Sequence, residues 1–245
     1  MNFLITEISK FLLFWVLSYV LGNWVFHRNV KVNYTRKIHH FSLLFIPLFF
    51  ATYFPYDRSG VISLIGSLAF VWTLFPFIFR EKNTVIQRCF LGIDRPEDRP
   101  HTLLWLFTQF LASIMVIIPI AIVSEVFFDI AWENIGLFVI CLAMIGDGFA
   151  EPVGIRFGKR RYKTFALFTR KRYFRTVEGS LAVFIATFFV VVVFNDLFTS
   201  EQFLYAILIL PLAITLTEAL SPHTWDSPFL LGVSGLSVIG ILSYL

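Results

Sequence analysis

The chain has 245 residues with a formal net charge of +4, and 58% of the residues are hydrophobic while only 15% are charged. A soluble domain carries about 25% charged residues, so this composition excludes an ordinary soluble protein. Apolar runs of about 15 to 22 residues recur, too long and too uniformly apolar for the strands of a membrane barrel. The sequence therefore predicts an all-α membrane protein.

We predict one integral membrane domain, 1–245, built as a polytopic bundle of about eight transmembrane helices. The candidate spans, in chain order, are roughly 8–27, 39–55, 60–79, 102–123, 130–150, 178–196, 201–220 and 228–245. Charge fixes their expected orientation. The loops 28–38, 80–101 and 151–177 hold four, five and nine of the 20 Lys and Arg residues, so they are expected in the cytoplasm and the N-terminus outside.

Basic residues that flank spans, without a recognisable nucleic-acid module, argue against nucleic acid as a partner. The first candidate residues are Arg36, Lys37 and His39, just before the second span. Histidines at a membrane boundary are often merely interfacial. All three side chains could nevertheless reach a phosphate group from the cytoplasmic side.

The fifth span ends in a Gly-Asp-Gly segment with Asp147 and Glu151. An acid near a helix C-terminus and near hydrocarbon is unfavourable unless a cation or donor compensates it. If the helix persists, the two carboxylates share one face, a spacing suited to Mg²⁺ that bridges to nucleotide phosphates. The neighbouring glycines either let backbone approach a ligand or let another helix pack closely; they are Gly146, Gly148, Gly154 and Gly158.

The basic loop 151–177 anchors the topology and also offers cations for a triphosphate, with Lys159, Arg160 and Arg175 as candidates. Glu178 follows at the start of the sixth span. It is either a favourable acid at a helix N-terminus or a ligand of metal or phosphate-bound water. Gly179 and Ser180 come next and complete the candidate nucleotide-binding residues.

Two more acids, Glu218 and Asp226, lie close to the end of the seventh span and the start of the eighth. Asp226 also has an ordinary interpretation as a turn residue. The expected active-site face is formed by the cytoplasmic loops 28–38, 151–177 and 221–228. The orientation was obtained from Lys and Arg alone, so the gathering of these acids at one membrane boundary is an independent observation.

Two motifs resemble the dolichol kinase and phytol kinase family of CTP-dependent lipid kinases, which is related to phosphatidate cytidylyltransferases. They are Gly-Asp-Gly-Phe-Ala-Glu-Pro-Val-Gly-Ile-Arg-Phe-Gly-Lys at 146–159 and Thr-Val-Glu-Gly-Ser at 176–180. Arg-Lys-Ile-His-His at 36–40 resembles that family's early Arg-Lys-x-x-His element. The final element departs from the family pattern, because Asp226 is followed by Ser227 where the family has Asp-Asn.

The resemblance implies CTP as the donor, a divalent cation such as Mg²⁺, and a lipid hydroxyl as the acceptor. It implies that Asp147 and Glu178 are metal or nucleotide-phosphate ligands, that Glu151 supports them, and that Lys159 holds phosphate. The general base stays open among Asp226, Glu218 and His39. The acceptor stays open among polyprenol, a phytol-like isoprenoid and diacylglycerol, and the oligomeric state, a homodimer included, stays open as well.

A phosphatidate cytidylyltransferase that makes a CDP-lipid is the main alternative. A transporter or membrane scaffold is the second. A transporter predicts ionisable residues near the bilayer midplane, whereas here they gather at one edge.

Overall fold

The computed structural model describes residues 3–55, 73–167 and 172–244. Within these residues the protein has eight α-helices and one short β-ribbon, so the predicted all-α class is confirmed apart from the ribbon. Five helices are long and apolar enough to cross a membrane: Phe3–Arg28, Thr102–Phe128, Trp132–Phe157, Ser200–Leu220 and Asp226–Ser243. About eight spans and an outside N-terminus stay predictions.

Some sequence predictions fall on residues that are not described. The third predicted span, 60–79, lies partly outside the described residues. The whole of the predicted loop 56–59 lies outside the described residues, and so do Arg170 and Lys171 of the basic loop.

The chain divides into two compact units, Met1–Leu104 and Trp105–Leu245. The helices of the first unit are α1 (Phe3–Arg28), α2 (Val32–Tyr53) and α3 (Thr84–Leu91). The elements that follow are α4 (Thr102–Phe128), α5 (Trp132–Phe157), β1 (Arg161–Thr164), β2 (Tyr173–Thr176), α6 (Val177–Val193), α7 (Ser200–Leu220) and α8 (Asp226–Tyr244). Short 3-10 helices occupy Phe75–Phe79, Pro96–Asp98 and Asn195–Leu197. The single domain remains a prediction.

In the first unit, α1 packs against both α2 and α3. Gly22 allows a close approach of α1 to α3, because a Cβ atom there would overlap the backbone carbonyl of Arg88. The Thr35 hydroxyl of α2 donates to the carbonyl of Gly92 at 2.7 Å and ties α2 to the end of α3.

In the second unit, α5 to α8 form a bundle in which α5 packs on α6, α6 on α7, α7 on α8 and α8 on α5. Its core contains Val183, Ile214 and Leu230, all fully buried. Large apolar side chains such as Phe189 and Leu208 are exposed on the outside. A helix that is apolar all round is buried or faces lipid, so this surface fits a membrane environment.

Two predicted boundaries were wrong because charged residues continue the helices. The helix α2 begins at Val32 rather than at residue 39, and α5 continues to Phe157 rather than ending at residue 150. Much of the predicted loop 28–38 and the first part of the predicted loop 151–177 are therefore helical. Two further stretches of the loop 151–177, Arg161–Thr164 and Tyr173–Thr176, form the β1–β2 ribbon, which was not predicted. Asp226 of the predicted loop 221–228 is the first residue of α8.

Gly179, in the first turn of α6, lies where α6 meets α5. A Cβ atom at this position would be 2.6 Å from the backbone oxygen of Ala150, so the two helices would have to separate. We expect Gly179→Ala to lower the free energy of unfolding by about 1–3 kcal/mol, measured by thermal unfolding in detergent. Gly240→Ala in α8 is the control, because in the described part of the chain no atom beyond its chain neighbours and the nearby backbone of α8 lies within 4 Å of its Cβ position. Equal unfolding temperatures for the two variants would contradict the close contact.

Candidate functional site

The end of the second unit that carries the β1–β2 ribbon is called here the hairpin end. In the ribbon Tyr162 pairs with Arg175, and Thr164 pairs with Tyr173. The turn from Ser221 to Trp225, between α7 and α8, packs against this ribbon. The Tyr173 ring stacks on His223 with centroids 3.8 Å apart, and the Thr164 hydroxyl donates to the Ser221 carbonyl at 3.3 Å. Three separate segments therefore meet at the hairpin end.

Arg175 lies between two of the predicted acids. Its Nε is 3.3 Å from Glu218 Oε1, and another guanidinium nitrogen is 3.5 Å from Asp226 Oδ2. A third nitrogen donates to Ser221 Oγ at 3.4 Å. The exposed fractions of these side chains are 10% for Arg175, 4% for Glu218 and 16% for Asp226. One cation and two carboxylates thus form a largely buried triad.

Neutral polar side chains extend this triad on both sides. Ser180 Oγ is 2.7 Å from the Tyr162 hydroxyl and donates to Glu218 Oε2 at 3.5 Å. On the other side, the Gln109 amide donates to Asp226 Oδ1 at 3.3 Å and to Ser227 Oγ at 2.6 Å. The network consequently joins α4, the ribbon, α6, α7 and α8.

Tyr162, Gln109 and Ser221 were not among the predicted site residues. A polar amide inside an otherwise apolar helix was a usable signal for Gln109, since buried amides need partners. Tyr162 and Arg175 become neighbours only through the register of the ribbon, which was not predicted. Burial raises the pKa of Tyr162, and the hydrogen bond with Ser180 opposes that shift. The phenol is therefore neutral at physiological pH.

The turn between α7 and α8, which supplies Ser221 as a partner of Arg175, is strained. Thr224 has φ = 70°, a conformation that is unusual for a β-branched residue. Strained backbone persists where the surrounding structure fixes it, and such positions cluster at functional sites. The strain therefore agrees with a functional turn between α7 and α8.

Glu178 accepts hydrogen bonds from the Arg160 backbone N–H, with both carboxylate oxygens 3.3 Å from that nitrogen. The N-cap of α6 is instead Thr176, whose hydroxyl accepts from the Gly179 N–H at 3.1 Å. Glu178 lies in the first turn of α6, so its ordinary explanation as a favourable acid at a helix N-terminus stands beside its predicted role as a ligand. Lys159 and Arg160 are exposed beside this carboxylate.

Asp147 and Glu151 both lie in α5, which continues through them, so the condition for a shared face is met. Asp147 is only 5% exposed. It lies about 15 Å along the helix axis from Phe157, at a rise of 1.5 Å per residue. Asp147 is consequently deeper in the bundle than Glu178, whereas both were predicted at the membrane boundary. The difference arises because α5 continues beyond the end of the predicted span.

The predicted metal ligands were Asp147, Glu151 and Glu178. Among the described residues no group of three His, Cys, Asp or Glu side chains is arranged to hold a metal ion. Mg²⁺ is commonly held by one or two carboxylates together with substrate phosphates and water. A metal site at these acids therefore stays a prediction.

Four predicted ligand-binding glycines lie in the α5–α6 contact. The Cβ position of Gly146 meets Ile214 and Thr187, and the Cβ positions of Gly154 and Gly158 both meet Thr176. Gly179 meets Ala150, as described above, while Gly148 is buried within α5. The space at these glycines is occupied by protein atoms, which favours their role in helix packing.

Arg36, Lys37 and His39 all lie in α2 of the first unit. His39 Nε2 is 3.0 Å from Ser18 Oγ, and Nδ1 is 3.0 Å from the Thr35 carbonyl. Both ring nitrogens are therefore occupied inside this unit, which favours a structural role over a general base. That these residues reach the same ligand as the acids of the second unit stays a prediction.

The chain matches no protein-family model, no curated protein and no solved structure. The resemblance to CTP-dependent lipid kinases thus depends on the motif residues at 36–40, 146–159 and 176–180 alone.

Proposed function

We propose that the protein is a membrane-embedded kinase that transfers the γ-phosphoryl group of CTP to the hydroxyl of a lipid alcohol. The observation that carries this proposal is the triad of Arg175, Glu218 and Asp226. Taking three charged groups out of water is costly and does not by itself add stability, so such a cluster calls for another reason. The choice of CTP comes from the motif resemblance.

The groups at the hairpin end suit the charge changes of phosphoryl transfer, in which positioning and charge neutralisation supply most of the catalysis. Lys159 and Arg160 offer exposed cations for phosphates. The N-termini of α6 and α8 add partial positive charge at the same end. A bound Mg²⁺ would neutralise the phosphate oxygens, with Asp147 and Glu178 as its candidate ligands.

In the proposed reaction the lipid hydroxyl oxygen forms a bond to the γ-phosphorus. The bond from that phosphorus to the bridging oxygen breaks, and CDP leaves. The hydroxyl proton passes to a carboxylate of the triad, for which Glu218 and Asp226 are the candidates. Arg175 holds Glu218 and Asp226 in place and acts as a positioning residue.

We further propose that the hairpin end faces the cytoplasm. Nine of the 20 Lys and Arg residues fall in the segment 151–177 that forms this end. By the positive-inside rule such a segment remains on the side where CTP is available. An integral membrane protein of the bacterial inner membrane or the endoplasmic reticulum would satisfy this orientation.

The test uses purified protein, lipid and CTP labelled either at the α or at the γ position. A kinase transfers the γ label to a lipid alcohol and leaves the α label in soluble CDP. Transfer of the α label to phosphatidate would instead identify a cytidylyltransferase. Absence of both labels from every lipid in a panel of polyprenol, phytol-like alcohol, diacylglycerol and phosphatidate would contradict an enzyme of this type.

A further inference from the structure

A groove with a volume of about 520 Å³ runs between α5 and α6, open along one side. Its lining is apolar throughout and includes Ile145, Phe149, Ala182, Ala186, Phe189 and Phe194. Ala182 and Ala186 are one helical turn apart, so their small side chains leave the space that the larger Phe rings border. The stretch of α6 from Ala182 to Val193 is about 17 Å long, slightly more than half of a bilayer core of about 30 Å.

Glu178 and the groove-lining residues of α6 lie on the same face of that helix. Residues 178, 182, 185 and 189 recur at intervals of four, three and four, so they lie on one helix face. Ala182, Ile185 and Phe189 line the groove, and Glu178 lies one turn further towards the hairpin end. An apolar channel therefore ends one helical turn from a carboxylate.

We infer that this groove binds the apolar tail of the acceptor lipid and places its hydroxyl beside Glu178. The occupant is a single-tailed lipid alcohol rather than diacylglycerol. The volume of the groove is in the range of sites for a single small ligand. An amphipathic molecule with one tail and one hydroxyl matches both the apolar length and the polar end. This inference depends on the proposed kinase function for the role of Glu178.

Photo-crosslinking in proteoliposomes tests the groove without turnover. The probe is a long-chain alcohol that carries a diazirine in its tail. We expect labelling of α5 and α6 peptides that an excess of unlabelled single-tailed alcohol removes. Labelling that no competitor reduces would show annular lipid only and would overturn the inference. Equal competition by diacylglycerol would overturn the assignment to single-tailed lipids.

Groove-filling variants supply the second measurement. Ala186→Phe adds a ring inside the groove, and Ala182→Leu adds less volume in case the first variant fails to fold. Leu181→Phe is the control, because Leu181 is on the same helix, is exposed and does not line the groove. We expect the groove variants to lose the competable label and to raise KM for the long alcohol by about tenfold, with little change for a short-chain alcohol. Unchanged labelling in a folded groove variant would contradict the site.

The two proposals fail in different ways. Competable labelling of wild-type protein without any phosphorylated product would keep the lipid groove and remove the kinase function. Phosphorylation of the long alcohol, with KM unchanged in both groove variants, would keep the kinase and remove the groove.

Discussion

Arg175→Met is expected to lower the free energy of unfolding by about 3 kcal/mol or more, and to stop lipid phosphorylation. The replacement has a similar length and no charge, so it leaves Glu218 and Asp226 without their shared cation in a largely buried site. Removal of one partner from a buried ion pair typically costs this much, because the remaining charge is uncompensated. Thermal unfolding in detergent at fixed pH measures the loss.

Two further variants separate charge from packing. Glu218→Gln alone keeps Arg175 paired with Asp226, so we expect a smaller loss of stability and a loss of activity. Arg175→Met combined with Glu218→Gln also removes the negative charge of Glu218. This double variant should be more stable than Arg175→Met alone. A wild-type unfolding temperature for Arg175→Met would show that the triad is not formed as described. A double variant less stable than Arg175→Met would exclude uncompensated charge as the cause.

Asp147→Asn and Glu178→Gln should each lower kcat for lipid phosphorylation by about 100-fold or more, while the unfolding temperature stays close to the wild-type value. Both changes keep the shape of the side chain and remove its negative charge. Loss of a group that stabilises transition-state charge or accepts the proton costs about this much. The rate is measured with labelled CTP at saturating lipid.

Each of these variants has a matched control in the chain. Glu133 is in the first turn of α5, as Glu178 is in the first turn of α6. Glu133→Gln therefore removes the same interaction with a helix dipole without touching the site. Asp196, in the short helix after α6, is exposed and serves as the control for Asp147. Activity lost equally in the control variants would point to a general electrostatic effect. Wild-type rates in Asp147→Asn or Glu178→Gln would remove that acid from the site.

The sequence was sufficient for the helical class and for the acids that gather at one end of the second unit. Long apolar runs require hydrogen bonds within the segment, so helices follow directly from composition. The free-energy cost of acids near hydrocarbon singled out Glu218 and Asp226, and in the structure both carboxylates pair with Arg175. Local physical rules were enough for these features.

The contacts between distant residues could not be predicted. Arg175 was expected to hold phosphate, as one of nine charges in a basic loop, whereas it is held by two carboxylates. Its position depends on the register of a four-residue ribbon, which propensity does not determine. Helix ends were also misplaced, because Lys37 and Arg156 continue helices beyond the apolar runs. The depth of Asp147 followed from that error.

Mass spectrometry of the lipid that the purified protein forms from CTP and a single-tailed lipid alcohol tests the kinase function. We expect a product heavier than the alcohol by one phosphate group, which is absent when Glu178→Gln replaces the wild type. A product that carries a cytidylyl group, or no product while bound CTP is detected, would contradict it.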